Sequence, residues 1–139
     1  MSTRVLVDTG IITSFYSSGK RDPRLVSLMD RIKAGEVEAV LLRTTLVECL
    51  SQLCKQPGGI AFAETTMASF MKNYNVLVED FDSSIAFKAG QLKCQHRKKL
   101  SNADCIAIAY ALNNKMIFHT TEKELHAILP KLKLETYSF

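Results

Sequence analysis

The chain has 139 residues, 47% apolar and 23% charged: enough for a real core, too few for two comfortable domains, and a composition that excludes disorder. Its net charge of +4 permits a polyanionic partner without demanding one. The amino terminus MSTRVLVD has no apolar stretch behind a basic start, and no later run approaches membrane-spanning length, so the expectation is a soluble, cytoplasmic protein with no membrane partner.

Arg4-Val5-Leu6-Val7-Asp8 is an apolar run ending in an acid, the pattern of a parallel strand covered on both faces, with a helix expected from near Ile11. Tyr16 to Asp22 reads as a loop. Pro23 opens a helix carried by Leu25, Leu28, Met29 and Ile32 and closed by Gly35. Val37 to Leu42 is a second strand, after which Thr45-Leu46-Val47-Glu48 has the form of a capping box starting the next helix. Gln56-Pro57-Gly58-Gly59 breaks the chain. Beyond it, Ala63, Met67, Phe70, Met71 and Tyr74 mark a long amphipathic helix, and Asn75 to Val78 a third strand. Asp82 caps a helix marked by Ile85, Ala89 and Leu92, which runs into the basic stretch Gln95-His96-Arg97-Lys98-Lys99. The segment Leu100 to Leu112 is apolar around most of a helical circumference and therefore belongs inside the protein. Asn113-Asn114 reads as a turn, Met116 to His119 as a fourth strand, and Lys131 to Tyr137 as a last, partly exposed one. The order β-α-α-β-α-α-β-α-α-β-α-β predicts a three-layer α/β/α domain spanning residues 1–139, with a largely parallel sheet of four or five strands.

Acids recur at corresponding places in this pattern. Asp8 and Glu122 follow strands; Glu48 and Asp104 begin helices that return from strands. Asp104 has an ordinary use as well, because Ser101-Asn102-Ala103-Asp104 forms a capping box. In an open parallel sheet the carboxyl edge of the strands is where ligands bind, so the four acids are expected to converge there. Clustered carboxylates repel and call for bound cations; hard divalent ions prefer oxygen ligands, which makes Mg²⁺ or Mn²⁺ the expected cofactor. Such a site suits phosphodiester hydrolysis.

The run Val5-Leu6-Val7-Asp8-Thr9, Thr45 with Glu48, Leu100-Ser101-Asn102-Ala103-Asp104 continuing through Ile106 to Ala109, and Thr120 with Glu122 resemble the motifs of PIN-domain ribonucleases, in order and spacing, over nearly the whole chain. The nearest resemblance in size is to the toxin of type II toxin-antitoxin modules. That resemblance implies an endoribonuclease whose metal is held by Asp8, Glu48 and Asp104, with Glu122 as fourth acid where the family usually shows Asp or Asn, and Glu124 as a competitor. It also implies orienting roles for Thr9 and Thr120, an RNA substrate, an antitoxin partner and a homodimer. Gly10 departs from the Ser or Asn more usual at that place. Arg43, Arg97, Lys98 and Lys99 are the candidate RNA phosphate contacts, though a cationic helix end is an equally good description of the last three.

Rival readings carry less of the sequence. Asp8-Thr9-Gly10 is also the tripeptide of aspartic proteases, but those are β-proteins and this chain has helical periodicity throughout. An aspartyl phosphatase wants a second Asp where Gly10 stands. A degenerate module that binds RNA or protein without cutting is the remaining alternative, and the nearly complete acid set argues against it. Cys49, Cys54, Cys94 and Cys105 form no CxxC pair and read as small buried hydrophobes, with zinc ligation by Cys94 and His96 disfavoured for want of a second pair.

Overall fold

The structure, a computed structural model, describes residues 3–17, 19 and 21–138. The elements run β1 (Thr3–Val7), α1 (Thr9–Tyr16), α2 (Pro23–Lys33), β2 (Val37–Leu42), α3 (Arg43–Leu53), α4 (Gly59–Asn73), β3 (Val76–Glu79), α5 (Ser83–Gln95), α6 (Asn102–Asn114), β4 (Ile117–Thr120), α7 (Leu125–Ile128) and β5 (Leu134–Thr136). That is the order expected from the hydrophobic pattern. The five strands form one sheet, β3-β2-β1-β4-β5, and every neighbouring pair is parallel.

Alternation along the strands divides the core in two. Val5 and Val7 of β1 and Val37, Ala39 and Leu41 of β2 point to one face, where Ile11, Ile12, Leu25, Met29, Ile32, Leu53 and Phe70 of α1–α4 cover them. Leu6, Val40, Leu42 and Phe118 point to the other, under Ile85, Ala89, Cys105, Ile108 and Leu125 of α5–α7. This is why the strands read as unbroken apolar runs: both faces are buried, as a parallel sheet requires. Each fully buried Leu, Ile or Met contributes roughly 1.5–3 kcal/mol by leaving water.

Local signals account for most ends. Asp22 caps α2, its carboxylate accepting the Arg24 amide at 2.9 Å, and Pro23 occupies the first helical position. Gly35, at φ +81°, takes the left-handed conformation just past α2 that a side chain resists. Asp82 accepts the Ile85 amide at 3.1 Å, as its position predicts. The boundaries differ in several places. β3 starts at Val76 and β4 at Ile117, one residue later than expected in each case, and β5 shortens to Leu134–Thr136. Asn113 and Asn114 are the last turn of α6 rather than a turn of their own; the reversal is at Lys115, a non-glycine residue at φ 53°. Tyr74 follows α4 as its cap in extended conformation.

The end of β5 and the residues after it, to Ser138, are tied down. Ser138 donates to Asp22 Oδ2 from its amide at 3.0 Å and from its hydroxyl at 3.2 Å, while Arg24 donates to the Thr136 carbonyl at 2.7 Å and lies over the Tyr137 ring. These bonds, the Ser138 amide foremost, hold the Asp22 carboxyl at about 2, below the usual carboxylate range. Tyr137 in turn bonds His119 Nδ1 at 2.8 Å within the core. Burial lowers His119 to about 4, so the ring is neutral near neutral pH.

Candidate active site

The sheet order reverses between β1 and β4: β2 and β3 extend it one way from β1, β4 and β5 the other. Such a switch point leaves a crevice at the carboxyl ends of the two strands, because the connections that follow them diverge. Asp8 follows β1 at this place, and its amide donates to the His119 carbonyl of β4 at 3.0 Å. Thr120, the last residue of β4, is fully buried. Its hydroxyl donates to Asp8 Oδ2 at 2.9 Å and accepts the Glu122 amide at 3.1 Å. One threonine therefore sets both the carboxylate after β1 and the backbone that carries the acid after β4.

Across the crevice, Thr9 opens α1 and donates from Oγ1 to Glu48 Oε1 at 3.1 Å. Here the local expectation needs correcting. α3 begins at Arg43, directly from β2, with Leu42 in the cap position and no side-chain cap bond, so Thr45 to Glu48 is not a capping box. Thr45 is buried inside the helix instead, and Glu48 lies one turn further in, directed at Thr9. The Ser101–Asp104 box does form: Ser101 Oγ accepts the Asp104 amide and Asp104 Oδ2 accepts the Ser101 amide, each at 3.1 Å. This occupies Oδ2 and, among the described residues, leaves Oδ1 without a hydrogen bond. Asp8, likewise in a cap position, makes no side-chain cap bond to α1.

Asp8, Glu48, Asp104 and Glu122 all line one cleft of about 800 Å³. Glu124 does not; it lines the adjoining cleft, which Asp104 and Glu122 also border. Among the described residues none of the four acids is in a salt bridge. Burial raises Asp8 from 3.8 to about 6 against the opposing Thr120 hydroxyl and Thr9 amide, and the charges of Asp104 and Glu48 add to the rise. Glu122 is raised too, by burial first and then by Asp104 and Glu124. A set of oxygen donors with mutual repulsion and, among the described residues, no ion-pair partner fits a hard divalent ion. Among the described residues no three acid, His or Cys side chains already stand close enough to hold one as a closed set. The donors suit Mg²⁺, which is commonly held by one or two carboxylates and keeps several waters.

Gly10 and Thr121 form a contact that sequence reasoning missed. A Cβ on residue 10 would collide with Thr121 Oγ1 and fall 3.2 Å from its Cβ, so the place a side chain there would take belongs to Thr121. Gly10→Ala should cost about 1–3 kcal/mol by overpacking, and Thr121→Ala combined with it should restore most of that. Denaturant unfolding of the single and double variants measures both; additive losses would show that the two positions do not compete.

The basic candidates separate. Arg43 is in an exposed ion pair with Asp80 at 2.7 Å and lines neither cleft. Arg97 and Lys98 are exposed on the turn after α5, whose carbonyls at Arg97 and Leu100 accept from Lys93 Nζ at 3.0 and 2.6 Å. Lys99 alone of that run reaches the adjoining cleft, beside Asp104 and Glu122. Arg21, Gln52 and Gln56 line the acid cleft and were not singled out in the sequence, since isolated polar loop and helix residues carry no periodic signal. Cys49 and Cys105 are buried as expected, Cys54 partly so, but Cys94 is exposed, because it shares the outward face of α5 with Phe87 and Gly90. No helix among the described residues is long and apolar enough to cross a membrane.

Fold and cleft together define a class: open parallel α/β proteins with acidic side chains at the sheet's switch point. The model of the PIN domain matches residues 5–128, and the chain belongs to the PIN-domain family. Its fold is shared with VapBC2 from Rickettsia felis bound to a promoter DNA fragment (TM-score 0.75, 14% identity, 98% of this chain and 100% of that one). It is shared also with a toxin-antitoxin complex from Klebsiella pneumoniae (0.71, 18%, 97% and 99%). A third similar structure is the sarcin-ricin-loop-cleaving toxin VapC20 of Mycobacterium tuberculosis (0.63, 18%, 82% and 86%). Among curated proteins none matches in sequence.

Proposed function

We propose that this chain, as a single nuclease domain, is a divalent-metal-dependent endoribonuclease and the toxin of a toxin-antitoxin pair, acting in the cytoplasm as a homodimer. The observation that carries the reading is the cleft lined by Asp8, Glu48, Asp104 and Glu122, none of which has an ion-pair partner among the described residues. Membership of the PIN family and the likeness to toxin-antitoxin structures support it.

Carboxylates of Asp8, Glu48, Asp104 and Glu122, some directly and some through water, would hold Mg²⁺ or Mn²⁺, which when bound supplies Lewis acidity toward water and the scissile phosphate. The rest is done by the protein. Thr120 fixes the Asp8 carboxylate and Thr9 that of Glu48, so neither has to be ordered when substrate arrives. Ser101 holds one oxygen of Asp104 and leaves the other to the cleft. The antitoxin would be a separate protein, as the complexes with this fold suggest.

Purified protein should cut single-stranded or looped RNA in Mg²⁺ or Mn²⁺ and lose that activity in EDTA. The same ions should raise its melting temperature by relieving repulsion among the acids. Cleavage that persists in EDTA would overturn the metal assignment.

A further inference from the structure

We infer that an extended single strand of RNA crosses the acid cleft with the phosphates on its two flanks held by Arg21 on one side and Lys99 on the other. This rests on the ribonuclease reading and adds the path of the substrate to it.

Among the described residues Arg21 is the cation lining the acid cleft itself, yet it forms no ion pair with the acids there. Arg4, Arg24, Arg31 and Arg43 each pair with a carboxylate, of Glu38, Asp22, Glu36 and Asp80 respectively, whereas Arg21 has no ion pair among the described residues. Its guanidinium lies instead over the Phe15 ring, 4.7 Å from the centroid. A cation–π contact uses none of a guanidinium's N–H donors as an ion pair would, and those donors can grip a phosphate in bidentate fashion.

Both supports of that arrangement are fixed. Phe15 belongs to α1, the helix that Thr9 opens, and packs edge-on against Tyr16 and Tyr74 at centroid distances of 5.1 and 6.4 Å. Asp22, next in the chain after Arg21, is bonded to the backbone of Arg24 and Ser138. The loop is therefore anchored immediately beside the arginine. A guanidinium presented on a rigid platform, unpaired, at the margin of a carboxylate cleft is placed to receive an anion that comes with the substrate.

The adjoining cleft has its own cation. Lys99 lines the adjoining cleft, and Asp104 and Glu122 border both clefts. A strand that leaves Arg21 and passes the acids therefore continues toward Lys99. Gln52 and Gln56 on the Arg21 side offer amides to sugar or base edges along the way. Arg97 and Lys98, exposed on the same turn as Lys99, line neither cleft and lie off this path.

The test uses the full chain with a fluorescent single-stranded RNA of eight nucleotides, binding being read by anisotropy in Ca²⁺ and cleavage in Mg²⁺. Arg21→Ala and Lys99→Ala should each weaken binding and flatten the slope of log K against log salt by ~0.7, the loss of one phosphate contact on a single strand. KM should rise in each with kcat little changed, because the contacts are the same in ground and transition states. Arg21→Lys should keep the salt slope. Arg97→Ala with Lys98→Ala should leave the slope and KM as they are. A dinucleotide, with its single phosphate at the acids, should be handled alike by the parent chain and both variants.

Unchanged slope and KM in Arg21→Ala, or losses in the Arg97 and Lys98 variant as large as those at Lys99, would overturn the path. The two levels of inference separate cleanly. Cleavage by the parent with no effect at Arg21 or Lys99 refutes the path and spares the nuclease. Binding losses at both without cleavage by the parent refute the nuclease and keep the path.

Discussion

Asp8→Asn should make the metal-free protein more stable at neutral pH while abolishing cleavage. The carboxyl is buried at the end of β1 and raised from 3.8 to about 6, first by burial and then by Asp104 and Glu48. An acid raised in the folded state ionises more readily unfolded, so its contribution penalises the fold above about pH 6 and vanishes below about pH 4. The size of that rise corresponds to about 3 kcal/mol at neutral pH, an upper figure for what the amide recovers. Thr120 keeps its acceptor in Asn, and the gain should appear as roughly 5–10 °C in melting temperature.

His119 acts oppositely over nearly the same range. Lowered to about 4 by burial, it costs the fold stability as pH falls from 6.5 toward 4. The parent's own pH profile therefore mixes the two, and the difference between parent and Asp8→Asn isolates the acid. Urea unfolding from pH 4 to 8 should show the two chains converging at the acid end and separating toward neutrality. Mg²⁺ should narrow the gap by stabilising the parent alone. If the variant is less stable than the parent at pH 7 without metal, Asp8 has a favourable partner and the cleft does not need a cation.

Asp104→Asn and Ser101→Ala should dissociate capping from chemistry. In the parent, Asp104 Oδ2 accepts the Ser101 amide and Ser101 Oγ accepts the Asp104 amide. Asn retains an oxygen for the first bond, so Asp104→Asn should fold with a loss below about 1 kcal/mol, yet it removes an anionic oxygen from the cleft and should lose cleavage by at least about a hundredfold. Ser101→Ala removes the other half of the box, should cost about 1 kcal/mol, and should leave most of the activity of the folded protein. Cleavage assays normalised to the folded fraction decide between the roles. Full activity in Asp104→Asn would make the residue a helix cap and nothing more.

The periodicity of this chain was enough to reveal its architecture. Two-faced strands such as Val5-Leu6-Val7 and Val37–Leu42 require cover on both sides, and the paired amphipathic segments between strands supply it. Pro23, Asp82, Ser101 and the residues just after β1 and β4 were legible for the same reason, since each is a local consequence of an element ending or beginning. The orienting roles of Thr9 and Thr120 came only from the resemblance; in the structure their hydroxyls donate to Glu48 and Asp8. A capping signature alone could not tell Thr45–Glu48 from Ser101–Asp104, because whether a helix starts at the motif or two residues before it depends on how the preceding strand is seated.

What the linear order could not contain is which groups share a space. The reversal of strand order between β1 and β4 brings Asp8 beside Thr120 and into the cleft that Glu122 lines, and only the crossing of α1 by α3 puts Thr9 on Glu48. The same packing gives Gly10 its reason in Thr121, seats Arg21 on Phe15, pairs Arg43 with Asp80 and exposes Cys94. Secondary structure is settled by short-range periodicity and backbone hydrogen bonding, which a chain carries within a few residues. A site is settled by long-range packing of elements that need each other to bury their apolar faces, and that is decided only when the whole sheet has closed around its two cores.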